Sequence, residues 1–112
     1  MSDALKKKAK FRATSKWKNF RKYLRNKQKI DPVTGSKLTK VSTCHHLSLD
    51  VEQYTLIGED RQVMLNCDTH TCLHFLYGNE RIRHDWRKRL DNLAKLCEIM
   101  DKFNGEFKDD EE

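Results

Sequence analysis

Apolar residues recur at helical spacing in two stretches of the chain. The first stretch predicts a helix over residues 16–29. Trp17, Phe20 and Leu24 share one face of it. The second stretch predicts a longer helix over residues 80–103, because its apolar residues follow one another at intervals of three or four. They form a single stripe that we expect to lie in the core: Trp86, Leu90, Leu93, Cys97, Met100 and Phe103.

The segments between these helices carry shorter signals. Residues 31–36 have turn chemistry, since the proline cannot continue a helix and the glycine permits a positive φ. Residues 38–47 alternate weakly between apolar and polar positions and predict a strand, and residues 63–65 predict a second one. A helix then starts near His70 and ends at Gly78. This order of strands and helices indicates an α+β domain.

The charge of the chain is concentrated at one end. Residues 1–29 hold 12 of the 23 lysines and arginines but one of the 17 acidic residues, a net charge of +11, whereas the rest carries −5. Such a positive field suits a polyanion, most economically nucleic acid. We expect a flexible basic arm at residues 1–13, one domain at 14–104 and an acidic tail at 105–112. The candidate nucleic-acid-binding residues lie on the predicted basic helix: Lys16, Lys18, Arg21, Lys22, Arg25 and Lys27.

The chain carries no signal of membrane insertion or of a disulfide framework. It has no apolar run of about 18 residues and no signal-peptide pattern, so we expect a cytoplasmic protein without membrane contact. Its four cysteines include no CxxC pair. Burial or metal binding is therefore the expected role of these cysteines.

Four of the five histidines fall in two clusters. His45 and His46 are adjacent on the predicted strand, where neighbouring side chains point to opposite faces. His70 and His74 are one helical turn apart and share a face of the predicted helix. Three imidazoles gathered in this way suit a divalent metal and leave positions open for water and a phosphate oxygen. A fourth histidine beside them can act as a general base.

The order of these features resembles the HNH, or His-Me finger, endonucleases. Their ββα-metal unit reads roughly C-x-x-C-G, then H-H, then N-L-V-x-L-C-x-x-C-H-x-x-x-H. In this chain the three parts correspond to residues 31–35, to His45-His46 and to residues 61–74. The resemblance covers about residues 16–77. It implies a small ββα-metal core, flanked here by the basic N-terminal helix and the longer C-terminal helix.

The resemblance implies a role for each matched residue. His45, His70 and His74 correspond to the metal ligands, and His46 corresponds to the general base. Arg61 takes the position of the family's asparagine, which is thought to hold the loop bearing the base by both donating and accepting hydrogen bonds. Because arginine can only donate hydrogen bonds, Arg61 is predicted either to bind a substrate phosphate or to lower the activity of the enzyme. The implied cofactor is one divalent ion: zinc, nickel, manganese or magnesium.

A second departure concerns the structural zinc that many family members hold with four cysteines. The matching positions in this chain are Asp31, Thr34, Asn66 and Thr69. None of the four is a thiol, so we expect no second zinc.

The leading hypothesis from the sequence is a metal-dependent endonuclease that hydrolyses phosphodiester bonds of duplex DNA, by nicking or by double-strand cleavage, in a bacterium or phage-infected cell. Its sequence specificity is either low or supplied by a partner protein. The runner-up is a catalytically idle HNH-like module that binds nucleic acid or inhibits a nucleic-acid enzyme. A third alternative is a closed structural zinc site of Cys44, Cys67, His70 and His74. The sequence leaves the metal, DNA against RNA, and the oligomeric state open.

Overall fold

The computed structural model describes residues 2–108. Over this range the protein is mixed α+β, with four α-helices and one antiparallel sheet of two strands, which confirms the predicted class. No helix in this range is long and apolar enough to cross a membrane. Residues 109–112 of the predicted acidic tail lie outside the described range. The elements in chain order are α1 Asp3–Arg12, α2 Ser15–Gln28, β1 Thr43–His46, a 3₁₀ helix Val51–Gln53, β2 Gln62–Leu65, α3 Cys67–Tyr77 and α4 Trp86–Asn104.

Residues 1–13, predicted to be a flexible arm, contain α1 instead. The side chain of Ser2 caps this helix by accepting a hydrogen bond from a backbone N–H of the first turn. Phe11 is buried at the other end. The centroid of its ring lies 5.3 Å from that of Trp17 and 5.8 Å from that of Tyr54. These aromatic contacts hold a highly charged helix against the domain, and composition alone does not reveal them.

The predicted basic helix is present as α2. Its N-terminus is capped by Thr14, which accepts a hydrogen bond from the backbone of Trp17, and Trp17 and Leu24 are buried. At the other end the side chain of Gln28 reaches β2. It accepts from the N–H of Met64 at 2.9 Å and donates to the carbonyl oxygen of Met64 at 2.7 Å. Polar contacts as well as an apolar face therefore join α2 to the sheet.

Asp31 organises the turn that follows α2. Its side chain is 0% exposed. It accepts hydrogen bonds of 2.8 to 3.0 Å from the backbone N–H groups of Val33, Thr34 and Asn66. The side chain of Thr69 forms a further hydrogen bond with it. The residues at the four cysteine-equivalent positions are thus linked by hydrogen bonds around one carboxylate.

Replacing Asp31 with alanine is expected to lower the free energy of unfolding by about 3 kcal/mol, because three backbone N–H groups lose a charged acceptor. Burial acts to raise the pKa of this carboxyl, but the hydrogen bonds outweigh it and lower the pKa from 3.8 to about 2. A folded-state pKa below the unfolded value means that the stabilisation is complete above about pH 4 and is lost as the pH falls towards 2. Urea unfolding of wild type and variant across this pH range measures both effects.

Asp50→Ala is the matched control for this prediction. Asp50 also accepts a backbone N–H, that of Glu52, but in an exposed turn. Its loss is expected to cost about 1 kcal/mol or less. An Asp31→Ala protein as stable as the Asp50→Ala protein would contradict the organising role of the buried carboxylate.

The sheet is a short antiparallel ladder between β1 and β2. His45 pairs with Val63 and His46 with Gln62. The strand predicted over residues 38–47 is confined to its last part, β1. Side chains from α1, α2 and both strands form one small core: Phe11, Trp17, Leu24, Cys44 and Met64.

α3 begins at Cys67, earlier than the predicted start near His70. It ends at Tyr77, and the next residue, Gly78, has a φ of +101° and a position where a Cβ would lie 2.0 Å from the carbonyl oxygen of Ile82. Only glycine fits this close approach. The end of α3 is therefore fixed one turn after His74.

α4 is a helix as predicted, but it begins at Trp86 rather than at Glu80, and its apolar stripe is not core. Every residue from Leu90 to the end of the helix is exposed. The prediction of a core stripe is wrong because α4 extends away from the domain. The radius of gyration is 17.3 Å, compared with about 13 Å for a compact chain of this length. The exposed stripe residues are Leu90, Leu93, Cys97, Met100 and Phe103.

Candidate metal centre

Three histidines from the sheet and from α3 meet at one point. His45 lies on β1, and His70 and His74 lie one turn apart on α3. One ring nitrogen of each lies within 4.8 Å of the other two. The Nε2 atoms of His70 and His74 are 3.0 Å apart, and the ring centroid of His45 is 5.3 Å from both of their centroids. The structure thus brings together the three metal ligands predicted from the sequence.

The donor atoms of this cluster fit a divalent ion. His74 donates from Nδ1 to the carbonyl oxygen of Gly78 at 3.0 Å, so its Nε2 keeps a lone pair on the side of His70. Nitrogen ligands 2.0–2.1 Å from a tetrahedral ion lie about 3.3 Å from one another. The 3.0 Å separation of the two Nε2 atoms is close to that value. Three nearby histidines can therefore hold a metal ion.

The environment keeps the imidazoles of His45 and His70 neutral. Burial, followed by the neighbouring histidine rings, lowers the pKa of His45 to about 4. Burial, followed by the ring of His74, also lowers the pKa of His70. A neutral imidazole is the form that ligates a metal, so no proton has to be removed from these two rings at pH 7.

His46 lies beside the cluster, with its ring stacked between two aromatic rings. Its centroid is 4.1 Å from that of Tyr54 and 5.1 Å from that of Trp17. Its Nε2 lies 2.9 Å from the carbonyl oxygen of Tyr54. Because a carbonyl only accepts, Nε2 carries the hydrogen and Nδ1 keeps its lone pair. Burial lowers the pKa of His46, the hydrogen bond to Tyr54 opposes that shift, and the nearby charges of Lys8 and Arg12 lower the pKa further, so the ring is neutral at pH 7.

All four of these histidines line one cavity of about 410 Å³. Three basic side chains form part of its wall: Lys8 and Arg12 of α1, and Arg21 of α2. The Nζ of Lys8 also lies 3.0 Å from a carboxylate oxygen of Glu80. Lys8 and Arg12 were missed as site residues because the sequence assigned them to a flexible arm. Phe11, the aromatic residue of that segment, was the available signal that it packs.

Arg61, predicted to be a catalytic residue, lies outside the lining of this cavity. Its side chain is exposed and lines a neighbouring cavity of about 380 Å³, to which His46 also contributes. The backbone of Arg61 accepts a hydrogen bond from the N–H of Leu47 at 3.0 Å. Arg61 is therefore near the candidate base but separate from the three-histidine cluster.

A buried amide side chain lies one residue after Arg61. The side chain of Gln62 is 2% exposed. Its Oε1 accepts from the N–H of Gly58 at 3.0 Å, and its Nε2 donates to the carbonyl oxygen of Leu56 at 2.7 Å. Gln62 thus holds the loop that carries the Tyr54 carbonyl. The period of two along a strand, which turns Gln62 inward together with Met64, is the signal that could have found it.

The basic face of α2 forms a cleft next to the histidine cavity. Arg21 lines both, so the two are neighbours on either side of this side chain. Lys27 instead pairs with Glu59, with Nζ 2.6 Å from a carboxylate oxygen, and Lys16 is exposed outside the cleft. Four of the six predicted nucleic-acid-binding residues line the cleft, whose volume is about 220 Å³: Lys18, Arg21, Lys22 and Arg25.

The alternative zinc site built from cysteines is not assembled. Cys44 packs in the core, where burial raises the pKa of its thiol to about 12 against the opposing charge of Arg21. The thiol of Cys67 lies 3.4 Å from the carbonyl oxygen of Val41. Among the described residues, the three-histidine cluster is the one group of potential ligands close enough to share an ion.

The chain matches no protein family, no curated protein and no solved structure.

Proposed function

We propose that this protein is a metal-dependent endonuclease of the HNH type that hydrolyses phosphodiester bonds of duplex DNA. The observation that carries the proposal is one cavity lined by a three-histidine cluster, by a fourth histidine with a free Nδ1 and by three cations. The order β1, β2, α3 around the cluster agrees with the ββα-metal unit that the sequence resembles.

His46 acts as the general base in this proposal. Its Nε2–H is engaged by the carbonyl oxygen of Tyr54, so Nδ1 is the atom that takes a proton from the attacking water. The same carbonyl stabilises the imidazolium that forms. Stacking on Tyr54 and Trp17 fixes the plane of the ring, which keeps Nδ1 in one orientation.

The basic wall of the cavity binds the phosphate. Arg12 and Arg21 carry permanent positive charge, and arginine matches the geometry of phosphate oxygens. A divalent ion held by His45, His70 and His74 would supply positive charge at the scissile phosphate and at its leaving oxygen. The adjacent basic cleft of α2 would extend this binding surface to neighbouring phosphates.

Cleavage of supercoiled plasmid by the purified full chain tests the proposal. We expect nicking or linearisation in at least one of magnesium, manganese, nickel and zinc, and no cleavage in EDTA. A protein that binds the plasmid but cuts it in none of the four metals would contradict the enzyme. That result would favour the idle nucleic-acid-binding module, and arginine at position 61, where the family has asparagine, would then be its simplest explanation.

Removing free cations from α2 is expected to weaken DNA binding. The double variant Lys18→Ala, Lys22→Ala should raise the dissociation constant about tenfold and reduce the slope of log affinity against log salt by about 2, because two phosphate contacts are lost. Fluorescence anisotropy with a labelled duplex over a salt series measures both quantities.

Lys27→Ala is the matched control on the same helix. Because Lys27 is already paired with Glu59, its removal should release fewer counterions and change the salt slope less than loss of one free lysine. Equal changes of the salt slope for Lys22→Ala and Lys27→Ala would show that the cleft does not bind the phosphates of the DNA backbone.

A further inference from the structure

α4 leaves an apolar face uncovered. The helix is attached to the domain near its start, where Arg89 donates from Nη1 to the carbonyl oxygen of Phe75 at 2.6 Å. Beyond Arg89 every residue of α4 is exposed. A contiguous apolar surface of this kind marks an interaction site. Its side chains are between 37% and 85% exposed: Leu90, Leu93, Leu96, Ile99, Met100 and Phe103.

The spacing of this face is that of a coiled-coil seam. Trp86, Leu90, Leu93, Cys97 and Met100 follow one another at alternating intervals of four and three. This repeat of 3.5 residues keeps the seam directed at a second helix along its whole length. In heptad notation Leu90 and Cys97 are a positions, and Leu93 and Met100 are d positions. The natural occupant of the face is therefore another helix with the same repeat.

We propose that α4 pairs in antiparallel orientation with α4 of a second copy of this chain. An antiparallel pair places a positions opposite d positions. Leu90 then faces Met100 of the second copy, and Leu93 faces Cys97. Two-fold symmetry repeats each layer, so one register aligns Leu90, Leu93, Cys97 and Met100 of both copies. This inference does not depend on the proposed nuclease activity.

The charge along the helix selects the antiparallel orientation. Within α4, residues 86–97 carry a net charge of +3, and residues 98–104 carry −1. A parallel pair would place like-charged halves side by side. An antiparallel pair places the basic half of each copy beside the acidic half of the other, and two-fold symmetry gives two such contacts. This charge pattern favours pairing with a second copy over pairing with a uniformly charged helix.

One ion pair at the edge of the seam belongs to the antiparallel register alone. Arg87 and Asp101 both occupy e positions, and equivalent e positions face each other in an antiparallel pair. Arg87 of each copy then lies beside Asp101 of the other. In a parallel pair, g positions of one helix face e positions of the other. Arg89 would then face Ala94 and Leu96 would face Asp101, and neither combination is an ion pair.

Measurement of the mass of the full chain in solution tests the proposal. Sedimentation equilibrium at micromolar concentration should give twice the 13.4 kDa of one chain. The variant Leu93→Glu, Met100→Glu should be a monomer with an unchanged circular dichroism spectrum, because both side chains are exposed within one copy. Lys95→Glu is the matched control, since Lys95 lies on the opposite face and pairs with Asp91, and it should remain a dimer.

A charge exchange tests the orientation. Arg87→Glu and Asp101→Lys should each raise the dimer dissociation constant roughly tenfold, because each creates two like-charge contacts. The double variant should return it close to the wild-type value. A monomeric wild type, a dimer that survives Leu93→Glu with Met100→Glu, or failure of the double variant to recover would overturn the proposal.

Discussion

Replacing His46 with alanine is expected to lower the rate of plasmid cleavage by about 10²- to 10⁴-fold, the usual contribution of a general base. The metal and DNA affinities should change little, because His46 belongs neither to the three-histidine cluster nor to the cleft of α2. Single-turnover cleavage, metal titration and duplex binding measure the three quantities separately.

His46→Phe is a second variant that keeps the stacking between Trp17 and Tyr54 while removing the proton acceptor. It should be as inactive as His46→Ala, and its free energy of unfolding should stay closer to that of wild type. His84→Ala is the matched control, because His84 lines none of the cavities described around the site. Wild-type cleavage by His46→Phe would rule out His46 as the base.

Replacing His70 with alanine is expected to weaken metal binding about 100-fold or more, because one of three ligands is lost. A metal at 100 times its dissociation constant stabilises the folded state by about 2.7 kcal/mol. In a domain of this size that corresponds to a rise in Tm of about 10 °C. We expect this rise for wild type and its absence for His70→Ala, measured by thermal unfolding with and without metal.

His74→Ala should behave as His70→Ala does, and His84→Ala should keep the full metal-dependent rise in Tm. The comparison separates metal binding from cleavage, because His46→Ala should also keep the rise while losing activity. A metal-dependent stabilisation that persists in both His70→Ala and His74→Ala would mean that the ion binds elsewhere.

The three-histidine cluster could be predicted from the sequence because local geometry determines most of it. A spacing of four on a helix places His70 and His74 on one face whatever the rest of the fold does. His45 required only that a nearby strand pack on that face. The orientation of His46 could not be predicted, since it depends on the carbonyl of Tyr54 in an irregular loop.

The structure differs from the sequence prediction at α1 and at α4, and the two differences have different physical causes. α1 was missed because one buried residue, Phe11, outweighs a segment of mostly charged side chains. α4 was assigned correctly as a helix and wrongly as core, because a periodic stripe shows that a face needs a partner but not where the partner lies. The motif alone does not indicate Gln62, because the pleat of β2 decides which side chain points inward.

The contact between Gln28 and Met64 affects whether a strand of another chain can be added to the sheet beside β2. A short two-stranded sheet presents unpaired backbone groups at its edges, and another chain can add a strand there. Gln28 already occupies both the N–H and the carbonyl oxygen of Met64. A strand from another molecule would have to displace both hydrogen bonds to extend the sheet beside β2. The side chain of one glutamine thus blocks the addition of a strand at this position of the edge.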